Sequence, residues 1–183
     1  MAQTPDRIFD ELLVIGCQRG DETAFEQLVA CWHGRLKRHA CQLTGDADAG
    51  SEIVQDTWTE IVRTIGNLRE PTSFRGWAFR IVSNKAADWV RDRSKQRAIR
   101  DTLESGTRVE SREHDSNQRN EDLEYALRHL PDISRQILSM KYLDGLSTRE
   151  IADAMSIPPG TVKSRLFHAR EQLRRAMERN SNE

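Results

Sequence analysis

The stretch Ser147-Thr-Arg-Glu-Ile-Ala-Asp-Ala-Met-Ser-Ile-Pro-Pro-Gly-Thr-Val-Lys-Ser-Arg-Leu-Phe-His-Ala-Arg-Glu-Gln-Leu173 decides how this chain folds. It reads as two helices joined by a tight turn. Ser147 and Glu150 stand in the S-x-x-E spacing of a capping box, which gives orphan amides at a helix start their partners. Ile151, Ala152 and Met155 supply an apolar side to the short helix that follows. Pro158, Pro159 and Gly160 are expected to stop it, because proline lacks an N–H and disfavours helix in the residue before it. A second helix is expected from about Thr161. At about 100° per residue, Val162, Leu166, Ala169, Leu173, Ala176 and Met177 share one side of it. Ser164, Phe167, His168, Glu171 and Arg175 fall opposite. Lys163, Arg170 and Arg174 lie along one flank and Arg165 along the other. Hydroxyl, imidazole and guanidinium groups suit base edges, and cations suit phosphates. This pattern is a helix-turn-helix, the unit that lays its second helix in a DNA major groove.

The 183 residues suit one medium domain or two small ones, and with 31% charged and 6% aromatic residues neither could hold a large core. The net charge of −1 conceals basic clusters at residues 91–100 and 163–175. Contact with DNA through such patches does not require a basic average. No apolar run approaches the ~20 residues needed to span a bilayer, so no membrane insertion is expected. The opening Met1-Ala-Gln-Thr-Pro-Asp-Arg7 lacks the apolar core of a signal peptide, so a cytoplasmic protein is expected. In that compartment Cys17, Cys31 and Cys41 do not form a disulfide framework. Cys31, His33, His39 and Cys41 resemble a metal-ligand set by spacing, but on a helix Cys31 and His33 point about 200° apart. No metal site and no cofactor are expected.

Upstream, the apolar pattern has helical period throughout, with no alternating strand run, so the fold class is all-α. Ile8, Phe9, Leu12 and Leu13 mark a first helix that ends at Gly16–Gly20. Asp21 caps a second, with stripe Phe25, Leu28, Val29, Trp32, Leu36, Ala40 and Leu43. After Thr44-Gly-Asp46, a third carries Ile53, Val54, Thr57, Trp58, Ile61, Val62 and Ile65. A loop from Gly66 to Thr72 follows, with Ser73 as expected cap. The fourth stripe is Phe74, Trp77, Ala78, Ile81, Val82, Trp89 and Val90. Opposite it the wheel places Phe79, Arg80, Ser83, Ala87 and Arg91, with Asn84 at the edge. Residues 95–120 have no apolar period and read as a flexible interdomain linker. Helices resume with Leu123, Ala126, Leu127 and Leu130, then Ile133, Ile137, Leu138 and Tyr142. Two small helical domains, 1–94 and 121–183, joined by that linker, are expected.

Several segments resemble the bacterial sigma factors of the extracytoplasmic-function type. They are Ala24-Phe-Glu-Gln-Leu28, Glu52-Ile-Val-Gln-Asp-Thr-Trp58, Phe74-Arg-Gly-Trp-Ala-Phe-Arg-Ile-Val-Ser-Asn84 and Asp88-Trp-Val-Arg91. In the second domain they are Leu130-Pro131, Gly145-Leu-Ser-Thr-Arg-Glu-Ile-Ala152 and Gly160-Thr-Val-Lys-Ser-Arg165. Their order and spacing cover nearly the whole chain. The resemblance implies sigma region two over 1–94, region four over 121–183, and no intervening region three. It implies a specificity subunit, not an enzyme, whose partners are core RNA polymerase and promoter DNA. Anti-sigma factors that clamp the two lobes commonly control such proteins.

By this resemblance the helix with Glu52, Gln55, Asp56, Thr59 and Arg63 docks on polymerase. The −10 element is read by Asn67, Arg69, Ser73, Phe79, Arg80, Ser83, Asn84 and Arg91. The 67–73 loop is where the family captures a flipped base, with Asn67, Arg69, Thr72 and Ser73 all left as candidates. Arg93, Lys95 and Arg97 extend the basic track. The −35 element falls to Thr161, Lys163, Ser164, Arg165, Phe167, His168 and Arg170. Two departures stand out. Arg80 and Ile81 occupy the positions where housekeeping relatives carry a wedge of adjacent tryptophans, which implies dependence on a narrow set of promoters. His168 stands where many relatives carry arginine. The rival reading is an autonomous helix-turn-helix regulator; an enzyme built on the His/Cys cluster finds no nucleophile–base spacing to support it.

Overall fold

The computed structural model describes residues 5–101 and 121–180. Its α-helices are α1 (Pro5–Gln18), α2 (Glu22–Thr44), α3 (Ala47–Thr64), α4 (Phe74–Asp101), α5 (Glu121–Arg128), α6 (Asp132–Leu138), α7 (Thr148–Met155) and α8 (Pro159–Asn180). No strand occurs among the described residues, and no described helix is long and apolar enough to cross a membrane. The helices group into two compact units, the first built on α1–α4 and the second on α5–α8. The expected linker overlaps α4, which continues to Asp101; residues 102–120 lie outside the described residues. The apolar period stops before residue 95 and the segment is rich in charge, but a solvated helix extension needs no apolar stripe.

In the first unit α2 packs against α1, α3 and α4. Asp21 caps α2 as expected, and of Asp46 and Asp48, either of which could cap α3, it is Asp46 that does so; each capping carboxylate accepts two backbone N–H bonds. Leu28, Trp32, Leu36 and Ala40 of α2 are buried, as are Ile53, Val54, Trp58, Ile61 and Ile65. The Trp32 ring meets Phe74 and Phe79 edge-on, at 6.2 Å and 6.3 Å between centroids. Such pairs add about 0.5–1.5 kcal/mol beyond their burial. The expected stripes need trimming: Ile8, Phe9, Leu12, Val62 and Val90 are exposed, and Trp77 and Trp89 are half-buried. Leu13 and Val14 carry the buried side of α1 instead.

One close helix approach depends on a glycine. A Cβ at Gly50 would lie 2.4 Å from Cys41 Sγ and 3.0 Å from Cys41 N, so α3 can approach the end of α2 only because this position is glycine. Gly50→Ala is expected to destabilise the unit by about 1–3 kcal/mol through overpacking. Urea unfolding followed by circular dichroism checks this. An unchanged midpoint would mean that the two helices separate at no cost.

Buried polar groups in this unit are paired across helices. Asp10 accepts from Trp32 Nε1 at 3.0 Å and from Arg75 Nε at 2.7 Å, which ties α1, α2 and α4 together. His39 of α2 is buried, 5.0 Å from the Phe79 ring, with Nε2 3.0 Å from Ser83 Oγ. Burial holds its pKa down at about 3, so the ring is neutral in the folded protein near neutral pH.

In the second unit α8 packs on α5 and α6, and Ser134 Oγ donates to Gln172 Oε1 at 2.8 Å. A π-turn, Ser139–Leu143, extends α6. Ile137, Leu138, Met140, Leu146 and Ile151 are buried, whereas Leu123, Ile133 and Tyr142 of the expected stripes are exposed. The capping box forms: Ser147 N–H donates to Glu150 Oε2 at 2.6 Å, and Glu150 N–H donates to Ser147 Oγ at 3.2 Å. The turn after it differs from expectation. Ser156, in the left-handed region at φ 53°, ends α7, and Ile157 N–H donates back to Ala152 O at 3.1 Å. This Schellman closure stops the helix before the prolines are reached. Pro159 instead opens α8, where a missing N–H costs nothing, so α8 begins two residues before Thr161.

Candidate polymerase and promoter interfaces

Helix α3 presents Glu52, Gln55, Asp56, Thr59 and Arg63 to solvent, all on the side away from Ile53, Trp58 and Ile61. Thr59 Oγ1 donates to Gln55 O in its own helix at 3.1 Å. Glu52 and Asp56 form no ion pair among the described residues, so their charges remain available to a partner. Val62 adjoins this face and is 56% exposed. Apolar periodicity alone placed it in the core; no local signal in the sequence separates it from Ile61.

The segment between α3 and α4 consists of two short 3₁₀ turns, Ile65–Asn67 and Pro71–Ser73. Asn67, Arg69 and Thr72 are exposed. Ser73 does not cap α4: its Oγ donates to Glu70 O at 2.7 Å, which leaves its hydroxyl engaged within the turn. The loop's backbone is held from outside by Gln18, whose Nε2 donates to Ile65 O at 3.0 Å and to Leu68 O at 2.8 Å. Sequence reasoning missed Gln18, because nothing local distinguishes a glutamine at a helix end that bridges 47 residues.

On α4, Arg80, Asn84, Ala87 and Arg91 are exposed and share one side. Phe79 is a correction. It is fully buried against Trp32 and His39, so it cannot serve as a DNA contact in this fold. The wheel misplaced it because α4 is covered by both α2 and α3, and its buried arc is wider than one stripe. Ser83 is half-buried and engaged with His39. Arg91 pairs with Asp88 of its own helix. Arg93 is not an open phosphate contact either. Its Nη1 lies 2.9 Å from Asp46 Oδ2, and its guanidinium sits 4.7 Å from the Trp89 ring centre. The Arg93 hydrogen bond is the leading cause holding the Asp46 carboxyl below the usual range. Arg80 carries no ion pair among the described residues, and Arg97 lies outside the described side chains.

On α8, Lys163, Ser164, Phe167, His168 and Arg170 are exposed, and Thr161 and Arg165 are half-buried. The opposite side carries Val162, Leu166 and Ala169 in the core. Ser164 Oγ donates to Thr161 O at 3.0 Å, which a base-edge contact would have to displace. Charge is distributed unevenly along the helix. Arg174 and Arg175 near its end share Glu171, while Lys163 and Arg165 near its start have no acidic partner among the described residues. The unneutralised cations therefore cluster beside the helix-turn-helix turn. The cysteine–histidine set does not converge: Cys31 is exposed, His39 faces Ser83, and burial, first among its causes, raises the Cys41 thiol pKa.

An all-helical protein whose second unit is a helix-turn-helix with a cationic leading turn is a DNA-binding transcription protein by class. Residues 28–96 match Sigma-70 region 2, and residues 120–173 match Sigma-70, region 4. The chain is 28% identical over 181 residues to the RNA polymerase sigma-H factor of Pseudomonas aeruginosa, covering 92% of this chain and 94% of that one. It is 28% identical over 180 residues to the ECF RNA polymerase sigma-E factor of Escherichia coli K12, with coverage of 92% and 94%. Among solved structures, RpoE of Bartonella quintana, determined with the anti-sigma factor NepR, superposes with a TM-score of 0.66 at 21% identity, covering 84% of this chain and 96% of that one. CnrH, determined with the cytosolic domain of CnrY, gives 0.63 at 23% identity, with coverage of 93% and 97%. These two likenesses show the fold. The chain belongs to the sigma-70 family and is a sigma factor of the extracytoplasmic-function group. It binds core RNA polymerase and directs promoter-specific transcription initiation, as a member of a family of initiation factors and not of a known family of enzymes.

Proposed function

We propose that three exposed helix faces divide this work. Glu52, Gln55, Asp56, Thr59 and Arg63 on α3 dock on core polymerase. Asn67, Arg69, Arg80, Asn84 and Arg91 read and open the −10 element, with Ser73 bonded within the loop and Ser83 to His39 beside them. Thr161, Lys163, Ser164, Arg165, Phe167, His168 and Arg170 read the −35 element. The units correspond to region two over 1–94 and region four over 121–183. The protein works in the cytoplasm, where polymerase and promoter meet, and an anti-sigma protein is the controlling partner. The observation that supports this reading best is the clustering of unneutralised Lys163 and Arg165 at the leading turns of α8, where such helices reach base edges.

Arg165→Ala or His168→Ala is expected to lose on the order of 1–3 kcal/mol, selectively at −35 base pairs. Arg80→Ala or Asn84→Ala is expected to leave −35 binding intact and to impair opening at −10. Losses at separate elements should add. Footprinting and open-complex assays on single and paired variants check this. Weakening of all sequences equally by His168→Ala would make it a phosphate contact. An altered −35 preference with Asn84→Ala would reverse the assignment of units to elements.

A further inference from the structure

The Ile65–Ser73 segment has little to hold its shape from within. Leu68 N–H donates to Ile65 O at 3.1 Å, Ser73 N–H to Glu70 O at 2.9 Å, and Ser73 Oγ to the same oxygen at 2.7 Å. These bonds close each 3₁₀ turn separately. They do not fix one turn relative to the other or to the helices. The first turn continues from α3, with Ile65 N–H donating to Ile61 O, and the rest is held from the middle and the end of α1. Midway along α1, Asp10 holds Arg75, the second residue of α4, through Nε at 2.7 Å and Nη2 at 2.5 Å. At the end of α1, the single amide of Gln18 donates both of its hydrogens, one to Ile65 O and one to Leu68 O. Those two carbonyls bracket Gly66 and Asn67. Gln18 therefore grips the first turn by its backbone and leaves the side chains of Asn67 and Arg69 turned to solvent.

The position of Gln18 is itself fixed. The chain turns directly after it at Gly20, at φ 82°, and Asp21 N–H donates back to Gly16 O at 3.1 Å. Asp21 is also the cap of α2. The amide is thus anchored to the α1–α2 corner, and it carries that order past the buried Ile65 to the turn where Asn67 and Arg69 are exposed.

We infer that Gln18 is a positioning residue for promoter opening: by holding Ile65 O and Leu68 O it pre-orders the loop that receives the flipped −10 base. This rests on the reading of that loop as the base-capture segment. Extruding a base costs unstacking energy, and ordering a slack loop at the same moment would cost more. A loop already held in its binding shape leaves only the first cost. The Gln18 amide bonds to the backbone of Ile65 and Leu68 and to none of the polymerase-docking residues of α3, so its loss should be visible in base capture and not in core binding.

The test uses the full chain with Gln18→Ala and the near-isosteric Gln18→Glu, whose carboxylate cannot donate to either carbonyl. Amide exchange of residues 65–70 reports loop order in the free protein. Binding of holoenzyme to a single-stranded non-template oligonucleotide, selected from a random pool by the unaltered holoenzyme, reports base capture. Affinity for core polymerase is measured in parallel. Both variants are expected to speed exchange in the loop and to weaken oligonucleotide binding on the order of tenfold, the scale of one or two lost hydrogen bonds, with core affinity unchanged. Unchanged exchange overturns the inference. So does faster exchange with undiminished oligonucleotide binding, or an equal loss of core affinity, which would mark a merely structural residue. Asn67→Ala, Arg69→Ala and Thr72→Ala separate the two layers. If these weaken binding while the Gln18 variants do not, the loop captures the base and only the role of Gln18 fails. If none of the five alters binding, the capture assignment fails and the inference falls with it.

Discussion

Asp10→Ala is expected to cost the first unit about 3–5 kcal/mol, because it removes one partner of a buried ion pair and strands the other. The side chains of Asp10 and Arg75 are 10% and 8% exposed, with Arg75 Nη2 2.5 Å from Asp10 Oδ2. Trp32 Nε1 donates to the other carboxylate oxygen at 3.0 Å and would also lose its acceptor. The Arg75 guanidinium lies 5.1 Å from the Trp32 ring centre, so the cation keeps one favourable contact but no counter-charge. A second variant keeps the reasoning testable. Replacing the pair together by Asp10→Leu and Arg75→Met removes both charges and should recover the part of the loss due to the stranded cation, while Trp32 Nε1 stays without its acceptor. Denaturant unfolding of the single and double variants measures this directly. If the two single losses simply add in the double variant, the charges are not coupled and the pair does not hold α1 to α4.

Much of the fold was legible because it rests on local chemistry. The caps at Asp21, Asp46 and Ser147 are short-range signals, and each forms. The buried residues Leu28, Trp32, Leu36 and Ala40 of α2 and Val162, Leu166 and Ala169 of α8 follow helical period, although Met177 of the expected α8 stripe is exposed. What escaped the sequence depends on distant partners. Phe79 looked like part of an outer face, yet His39 and Trp32, forty or more residues earlier, cover it. Arg93 looked like one more basic contact until Asp46, 47 residues away, claimed it. Gln18 was silent for the same reason. Ser156 is a different case. A left-handed residue that is not glycine leaves little trace in the sequence, and the adjacent Pro158 and Pro159 offered a stronger but mistaken stop signal.

The α3 face yields the other large effect. Asp56→Arg should weaken binding to core polymerase by about 2–5 kcal/mol, roughly thirtyfold to several thousandfold, while leaving the protein folded. The reversal puts a cation where the docking reading requires an anion, and like-charge juxtaposition at an interface costs several kcal/mol. The fold should survive because Asp56 is exposed, bonds to no other described group and lies on a helix that arginine favours more than aspartate does. Its surroundings suit a covered face: Glu52 and Asp56 lack ion-pair partners among the described residues, and Val62 exposes an apolar side chain at the edge. A solvated helix face has no need of unpaired acids beside an exposed valine, whereas a docking face uses both. Titrating labelled protein with core polymerase in the absence of DNA isolates this contact from promoter reading. Circular dichroism of the same sample confirms helicity. Unaltered affinity in a folded Asp56→Arg variant would remove α3 as the docking helix. Partial loss that disappears at high salt would place Asp56 on the rim of the interface, where its charge steers the encounter without being buried.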